Sequence, residues 1–210
     1  MMVNVPEIRF KGFTDAWEQR TFAGVAKVNS GRDYKHLNHG CIPVYGTGGY
    51  MLSVDESLSD EDAVGLGRKG TIDKPQLLNA PFWTVDTLFF LTPKPNNDLR
   101  FLFALTQNIE WAKLDESTGV PSLSKVNIES VMKYLPDYPE QSLIGTFFRT
   151  LDNTIAIYKR KLNGLREFKK TYLQQMFPQA GETVPRVRFE GFVEPWEMRK
   201  LGDIVNVNSG

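Results

Sequence analysis

The longest regular hydrophobic pattern in the chain lies between Pro139 and Phe177. Apolar residues recur there at intervals that alternate between four and three, which is the repeat of a helix with one apolar seam. The seam consists of Ile144, Phe148, Leu151, Ile155, Tyr158, Leu162, Leu165, Tyr172 and Met176, and Lys169 fills the one polar position in the series. Because such a seam is stable only when covered, the pattern predicts a helix of about 55–60 Å that pairs with another helix.

Shorter apolar runs, separated by glycines and prolines, predict strands before this helix. The predicted strands are Ile42–Tyr45, Ala63–Leu66 and Phe82–Leu91. Apolar spacing predicts a shorter helix over Asp98–Lys113, and Val126–Met132 is predicted as a last strand or turn. The expected fold class is α+β: a mixed α/β globular domain followed by a long coiled-coil helix.

An internal repeat divides the chain. Val5–Gly31 and Val184–Gly210 align without a gap at an offset of 179, and 13 of their 27 positions are identical. This interval is too long for a solenoid repeat and indicates duplication of a domain together with its helix. We therefore expect a first domain over 1–138, the long helix over 139–178, and the beginning of a second, incomplete unit over 179–210.

Charge distinguishes the helix from the region before it. Residues 1–139 carry 14 basic and 17 acidic side chains, whereas 140–178 carry 7 basic and 3 acidic ones, although the whole chain is formally neutral. The basic run Lys159–Lys161 fits either a solvated helix face or a surface for a partner subunit or nucleic acid. Cys41 is the only cysteine, and no apolar run is long enough to cross a bilayer, so we expect a cytoplasmic protein without disulfides.

The chain contains no convincing catalytic motif. His36, His39 and Cys41 would need a fourth ligand to hold zinc, so a solvated loop is the better interpretation. Pro136-Asp137, together with Glu167 and Lys169, resembles a nuclease signature, but Glu167 and Lys169 lie within the helical repeat rather than on neighbouring strands. The aromatic residues of Phe82–Leu91 are most simply core.

Glycine-rich turns are the stronger candidates for binding. The segments GTGGY and GLGRKG do not have the spacing of a nucleotide-binding loop. They do offer backbone N–H groups beside Arg68, Lys69 and Lys74, which suits an anion such as a DNA phosphate. The alternative is that they are ordinary turns between strands.

Motifs along nearly the whole chain resemble the DNA specificity subunit of type I restriction-modification systems. The matching stretches are VRFEGF followed by WE-x-R in the second repeat and its equivalent in the first, IPVYGTGGY, GRKGTIDKP, FWTVDTLFFL, GVPSLSKVNIESV, and PEQSLIGTFFRTLDNTIAIYKRKL through YLQQMF. The chain departs from the family in length, because only one target-recognition domain is complete. The resemblance implies a half-length, noncatalytic, DNA-binding subunit.

The resemblance also implies partners and cofactors. Partners would be double-stranded DNA, methyltransferase (modification) subunits and a restriction or motor subunit. S-adenosylmethionine, ATP and magnesium would be held by those partner subunits, with none on this chain. The chain would read one half of a split DNA target. The unpaired seam itself leads us to expect that two copies pair antiparallel through the long helix as a homodimer, and the alternative is that the seam packs against another subunit such as the methyltransferase.

Residues on the turns are the candidates for DNA contact, because loops are free to vary and basic groups can fix register on phosphates. These candidates are Thr47, Tyr50, Arg68, Lys69, Thr71, Lys74, Ser117, Thr118 and Ser122. Two other functions compete with this hypothesis. One is a homodimeric coiled-coil interaction module that binds protein rather than DNA, and the other is an autonomous nuclease.

Overall fold

The computed structural model describes residues 5–206. Its elements are β1 (Glu18–Thr21), α1 (Phe22–Val25), β2 (Ala26–Ser30), β3 (His39–Gly46), β4 (Gly49–Val54), β5 (Ala63–Gly67), β6 (Gln76–Leu78), β7 (Trp83–Thr84), β8 (Leu88–Pro93), α2 (Leu99–Gln107), α3 (Lys125–Ser130), β9 (Met132–Leu135) and α4 (Tyr138–Gln175), with short 3-10 helices at Trp111–Leu114 and Leu201–Asp203. The chain forms two compact units, Met1–Leu151 and Asp152–Gly210. A mixed sheet-and-helix domain followed by a long helix is the fold class that the sequence predicts.

A four-stranded antiparallel sheet forms the centre of the first unit. Its strand order is β2-β8-β5-β6. Successive side chains of a strand point to opposite faces, and both faces of β5 are covered. Val64 and Leu66 pack in a cluster with the helices α1, α2 and α3, whereas Ala63 packs in a second cluster with Phe82 and Phe90. This explains why β5 is buried along its whole length.

Two smaller sheets complete the domain. The strand order β4-β3-β7 places a hairpin of β3 and β4 beside β7, which runs parallel to β3. β1 pairs antiparallel with β9, so the N-terminal segment lies beside the segment that leads into α4. The predicted strands Ile42–Tyr45 and Ala63–Leu66 are confirmed within β3 and β5.

The prediction of one continuous strand over Phe82–Leu91 is wrong. The structure has two strands there, β7 and β8, separated by a turn in which the Leu88 N–H donates to the Val85 carbonyl at 2.9 Å. The two strands belong to different sheets. A continuous apolar run hides such a change of sheet, because both halves are buried. The aromatic side chains are core, as predicted: Phe82, Trp83, Phe89 and Phe90 are all buried.

Two predictions about helices also need correction. The helix predicted over Asp98–Lys113 ends at Gln107, and a separate 3-10 helix follows, because the buried Trp111 indole donates to the Thr106 carbonyl at 2.8 Å. The stretch Val126–Met132 is mostly the helix α3 rather than a strand or turn. Ser124 caps that helix by accepting a hydrogen bond from the Asn127 N–H.

The first turns of α4 are fixed to the domain. Glu140 and Gln141 are both fully buried, which is rare for such side chains unless they are paired. Glu140 accepts two hydrogen bonds from Arg9, while the Gln141 side-chain amide donates to the Pro136 carbonyl and its oxygen accepts from the Asp98 N–H. Farther along, α4 is exposed on all sides within the second unit.

Gly145 allows α4 to approach α2 closely. A Cβ at this position would lie 2.6 Å from both Asp98 Oδ1 and the Phe101 backbone N. We expect Gly145→Ala to lower the free energy of unfolding by about 1–3 kcal/mol through overpacking. Gly164 of the same helix faces open space, so Gly164→Ala should instead raise helix stability by up to about 1 kcal/mol. Denaturant unfolding of both variants tests the pair, and equal stabilisation by both would contradict the close approach.

The repeated segment adopts the same local turn in both copies. Gly12 and Gly191 have φ values of 101° and 90°, which favour glycine, and in each copy a phenylalanine N–H donates to the phenylalanine carbonyl three residues earlier. In the second unit, Trp196 packs edge to face against Phe177. The end of the second copy, 207–210, lies outside the described residues.

Candidate nucleic-acid interface

Two candidate loops that are distant in sequence lie side by side. Lys69 pairs with Ser122 in an isolated antiparallel bridge. On either side of that bridge, the Gly70 N–H donates to the Pro121 carbonyl at 2.8 Å and the Leu123 N–H donates to the Arg68 carbonyl at 2.9 Å. The structure therefore brings Arg68, Lys69 and Ser122 together, as parts of one small surface.

Asp115 holds the second of these loops in shape. Its Oδ1 accepts hydrogen bonds from the backbone N–H groups of Ser122 at 2.9 Å and Ser117 at 3.0 Å. The hydrogen bond from Ser122, followed by that from Ser117, lowers the pKa of the Asp115 carboxyl. Thr118 and Gly119 are exposed at the tip of the loop that Asp115 closes.

The ordering of this loop should depend on pH in a defined direction. Because the pKa of Asp115 is lowered in the folded protein, its contribution is present above the ordinary value of about 3.9 and is lost as pH falls through the lowered pKa. We expect the amide resonances of Ser117 and Ser122 to titrate together below about pH 3.9, and Asp115→Asn to abolish this titration. Glu116→Gln, which changes a neighbouring exposed carboxylate, is the control and should leave it intact. A titration midpoint at or above the ordinary value would contradict the assignment.

A turn at Val85–Thr87 positions Arg68. The Thr87 carbonyl accepts from the N–H groups of Arg68 at 2.8 Å and Lys69 at 3.3 Å. The Arg68 guanidinium lies 5.7 Å from the centre of the Phe89 ring and donates to the Asp86 carbonyl at 3.4 Å. These contacts hold the cation at the surface without neutralising it.

The β3–β4 hairpin carries two further candidates, Thr47 and Tyr50. Gly49 occupies the turn with a φ of 107°, and the ring of Tyr50, 63% exposed, packs edge to face against Tyr45. The Val85 N–H donates to the Tyr45 carbonyl, so this hairpin and the Arg68 loop both attach to the Val85–Thr87 turn. Within 5–206, no hydrogen bond or ring contact joins Tyr50 to Arg68 directly.

The remaining candidates, Thr71 and Lys74, lie between β5 and β6. Thr71 is half-buried. Its carbonyl oxygen packs so closely against Gly67 that a Cβ at position 67 would collide with it. Lys74 is exposed and forms no ion pair with a described residue. These two residues extend the loop that carries Arg68 and Lys69, but no hydrogen bond joins them to the loop at Ser117–Ser122 within the described range.

The structure adds three basic residues that the sequence interpretation missed. Two adjoining surface clefts of about 320 and 370 Å³ share Ser30 and Lys125 in their linings. Their cations are Lys27, Arg32, Arg68, Lys69 and Lys125, which we call the basic cleft. For Lys27, the available signal was the alternation of apolar and polar residues along β2, in which Val28 is buried and Lys27 is exposed.

The basic cleft has a strong excess of positive charge. Its five cations face one lining carboxylate, Glu116. Among the described residues, Lys125 pairs loosely with Glu129 at 3.6 Å, and the other four cations have no ion-pair partner. Backbone contacts fix Arg32, whose N–H donates to Thr84 and whose carbonyl accepts from the Trp83 indole. Such a cleft suits a polyanion, because several phosphates can be contacted at once.

The structure also places the residues that were considered for a metal site or a nucleotide-binding loop. No group of three or more His, Cys, Asp and Glu side chains within 5–206 is arranged to hold a metal ion. His36 packs edge to face against Trp83, and Cys41 is an exposed free thiol. The GTGGY segment is the turn of the β3–β4 hairpin rather than a loop that opens a helix.

The predicted seam of α4 is largely open to solvent. Phe148, Leu151, Ile155, Tyr158, Leu162, Leu165 and Tyr172 are between 36% and 66% exposed. Ile144 differs from these, because it packs against the helical core cluster of the domain. Tyr172 and Met176 also line an apolar groove with Phe189 and Trp196 inside the second unit. The open seam therefore runs from Phe148 to about Leu165.

Solved structures with the same fold come from type I restriction-modification systems. The S subunit of such a system from M. genitalium matches with a TM-score of 0.61 and 15% identity, covering 84% of this chain and 49% of that one. The HsdS subunit from Thermoanaerobacter tengcongensis matches with a TM-score of 0.54 and 15% identity, covering 75% of this chain and 42% of that one. A chain from a structure of type I R-M complex assembly and conformational transition matches with a TM-score of 0.57 and 15% identity. The match covers 79% of this chain and 46% of that one.

Sequence comparison leads to the same group of proteins. The type I restriction enzyme MjaVIII specificity subunit of Methanocaldococcus jannaschii is 25% identical over 118 residues, which are 54% of this chain and 28% of that protein. The chain thus spans about half the length of the structural relatives, and the match covers 28% of the length of the M. jannaschii subunit. Within 5–206, no helix has the length and apolar character of a membrane span. The family model of the type I restriction modification DNA specificity domain matches residues 14–167, so the chain belongs to this family.

Proposed function

We propose that this chain is a noncatalytic specificity subunit that binds double-stranded DNA and reads one half of a split target. The observation that carries the proposal is the basic cleft, four of whose five cations have no ion-pair partner among the described residues, in a domain of this family. The family itself points to no enzymatic activity. Action in the cytoplasm, where the DNA is, belongs to the same proposal.

Within this proposal, the cleft and the surrounding loops have separate tasks. Arg32, Arg68 and Lys69 hold phosphates and so fix the position of the domain on the duplex. Sequence is then read by side chains that reach base edges in a groove. Tyr50 and Thr118 are suited to this second task, because both are exposed. Tyr50 lies in β4 beside the hairpin turn, and Thr118 lies in the loop that leads to Ser122 of the cleft.

Partners supply the chemistry. We propose that methyltransferase subunits dock on the chain and bring S-adenosylmethionine, and that a motor subunit brings ATP hydrolysis with magnesium. Support for such an assembly comes from the fold shared with a chain from a structure of type I R-M complex assembly. The exposed basic run Lys159–Lys161 is one surface that a partner could contact.

The open seam of α4 provides the proposed means of pairing. Two copies associate antiparallel through Phe148–Leu165, because an uncovered apolar stripe on a long helix is unstable in water. Two-fold symmetry then makes the target palindromic and split, with a gap related to the helix length. Packing of the same seam against the methyltransferase is the alternative arrangement.

A mobility-shift assay tests the function. The chain, with and without its methyltransferase subunit, is mixed with a pool of duplexes that have random sequence, and the bound fraction is sequenced. We expect the assembled complex to retain DNA that shares one short motif, with magnesium causing no cleavage by the isolated chain. Retention of no motif by any combination would favour the protein-binding interaction module instead.

A further inference from the structure

We infer that Glu116 is a specificity-determining residue that reads one cytosine of the DNA target. The inference rests on the proposed function and deepens it, because it assigns one side chain to one base. Glu116 lies in the first unit and lines the basic cleft together with Arg68, Lys69 and Lys125. It is the one carboxylate among the described residues that line the two adjoining clefts.

The Glu116 carboxylate has unused capacity to accept hydrogen bonds. The residue is exposed, and among residues 5–206 its side chain forms no ion pair and accepts no hydrogen bond. Arg68, Lys69 and Lys125 share its cleft, yet none of these cations lies within ion-pair distance of it. The cleft therefore presents one negatively charged acceptor to whatever binds there.

The backbone on both sides of Glu116 is fixed. The preceding residue, Asp115, accepts hydrogen bonds from the N–H groups of Ser117 at 3.0 Å and Ser122 at 2.9 Å. Ser122 pairs in turn with Lys69 in the isolated bridge. Glu116 thus lies within a closed loop that is attached to the loop of cations. Because this backbone is already ordered, binding through the Glu116 side chain requires little further loss of conformational entropy.

The charge of Glu116 excludes the role that the cations have. A carboxylate only accepts hydrogen bonds, and DNA phosphates are also acceptors that carry negative charge. DNA in the basic cleft would therefore repel Glu116 except where an amino group of a base faces it. A carboxylate in such a cleft lowers the affinity for DNA in general, so it is suited to discrimination between sequences.

Cytosine is the base that suits a carboxylate best. In the major groove, cytosine N4 is a donor with no acceptor on the same base edge, whereas the adenine N6 donor lies beside the N7 acceptor. Guanine and thymine offer no donor on that edge, and the guanine amino group lies in the minor groove, where acceptors flank it. One carboxylate contact of this kind gives a preference of about tenfold or more for cytosine.

The test is selection from random duplex DNA by the chain assembled with its methyltransferase subunit. The wild-type complex should enrich a motif in which one position is cytosine, with a preference of about tenfold or more over each other base. In Glu116→Gln, the side-chain amide can both donate and accept, as adenine N6 and N7 require. Adenine should then become at least as frequent as cytosine at that position, and the rest of the motif should stay the same.

Glu116→Ala distinguishes base reading from simple repulsion. Its preference for cytosine at that position should fall to about twofold or less, because no acceptor remains. Its affinity for duplexes without the motif should rise about two- to fivefold, because a negative charge has left the cleft. Fluorescence anisotropy on duplexes that differ at that one base measures both effects. Glu110→Gln, which neutralises an exposed carboxylate of the same domain outside both clefts, is the control and should keep the wild-type motif.

Three results would overturn the inference and leave the proposed function standing. One is an unchanged motif in both Glu116 variants, which would make Glu116 a solvated surface carboxylate. Another is an altered position that is not cytosine in the wild-type motif. The third is loss of preference at every position, since Glu116 would then support the loop rather than read a base. A wild-type complex that enriches no motif would overturn the proposed function, and the inference with it.

Discussion

Simultaneous replacement of Arg32, Arg68 and Lys69 by alanine is expected to weaken DNA binding by the assembled complex about a hundredfold at physiological salt. Each phosphate contact releases counterions, so the slope of log K against log salt should fall by about 3. The three side chains are exposed, so the fold should be preserved. Fluorescence anisotropy on one duplex at several salt concentrations measures both quantities.

A matched variant distinguishes the effect of losing cations from the basic cleft from the effect of lowering the overall charge of the domain. Lys11→Ala, Arg100→Ala and Lys133→Ala remove the same charge from the same domain, but these residues line neither cleft. We expect the salt slope of this control to stay close to that of the wild type. Equal losses in the two triple variants would mean that DNA does not lie in the basic cleft.

The second large effect is expected at the seam of α4. Leu151→Glu with Leu162→Glu should raise the dissociation constant of the homodimer by at least about a hundredfold, because four carboxylates would enter an apolar interface. Sedimentation at micromolar concentration should show a dimer for the wild type and a monomer for this variant. Helix content should change little, since both positions are already exposed in the single chain.

Asn153→Glu with Gln174→Glu is the control for the seam. These residues lie on the side of α4 opposite the seven-residue seam and are also exposed. The control should remain dimeric. A monomeric wild type, or equal dissociation of both variants, would remove the basis for pairing through Phe148–Leu165 and favour a seam covered by another subunit.

The fold was predictable wherever one period of hydrophobicity ran without interruption. The seven-residue repeat of α4 is of this kind, and β3 and β5 were marked instead as short apolar runs that glycines end. Two of the errors have one cause: burial on both sides removes the periodic signal. The buried run Phe82–Leu91 therefore concealed the turn at Val85–Thr87, and the buried Trp111 concealed the end of α2 at Gln107.

The candidate site was predictable only in part, because its pieces meet through tertiary contacts. Glycines and lysines marked the loop at Arg68, but its pairing with Ser122 depends on backbone hydrogen bonds across more than fifty residues of sequence. Lys27 was missed because it lies in a strand rather than on a loop. Arg9 and Trp17, which both donate to the buried Glu140, could be noticed beforehand, because they recur in the second copy as Arg188 and Trp196.

The pattern of DNA methylation in cells that carry the complex tests the central claim most directly. We predict that one bipartite motif with a fixed gap is methylated when the chain and its methyltransferase subunit are both present. Methylation of this motif should disappear when the chain is deleted, and it should be reduced when Arg32, Arg68 and Lys69 are replaced. A methylation pattern that is the same with and without the chain would contradict its assignment as the subunit that reads DNA sequence.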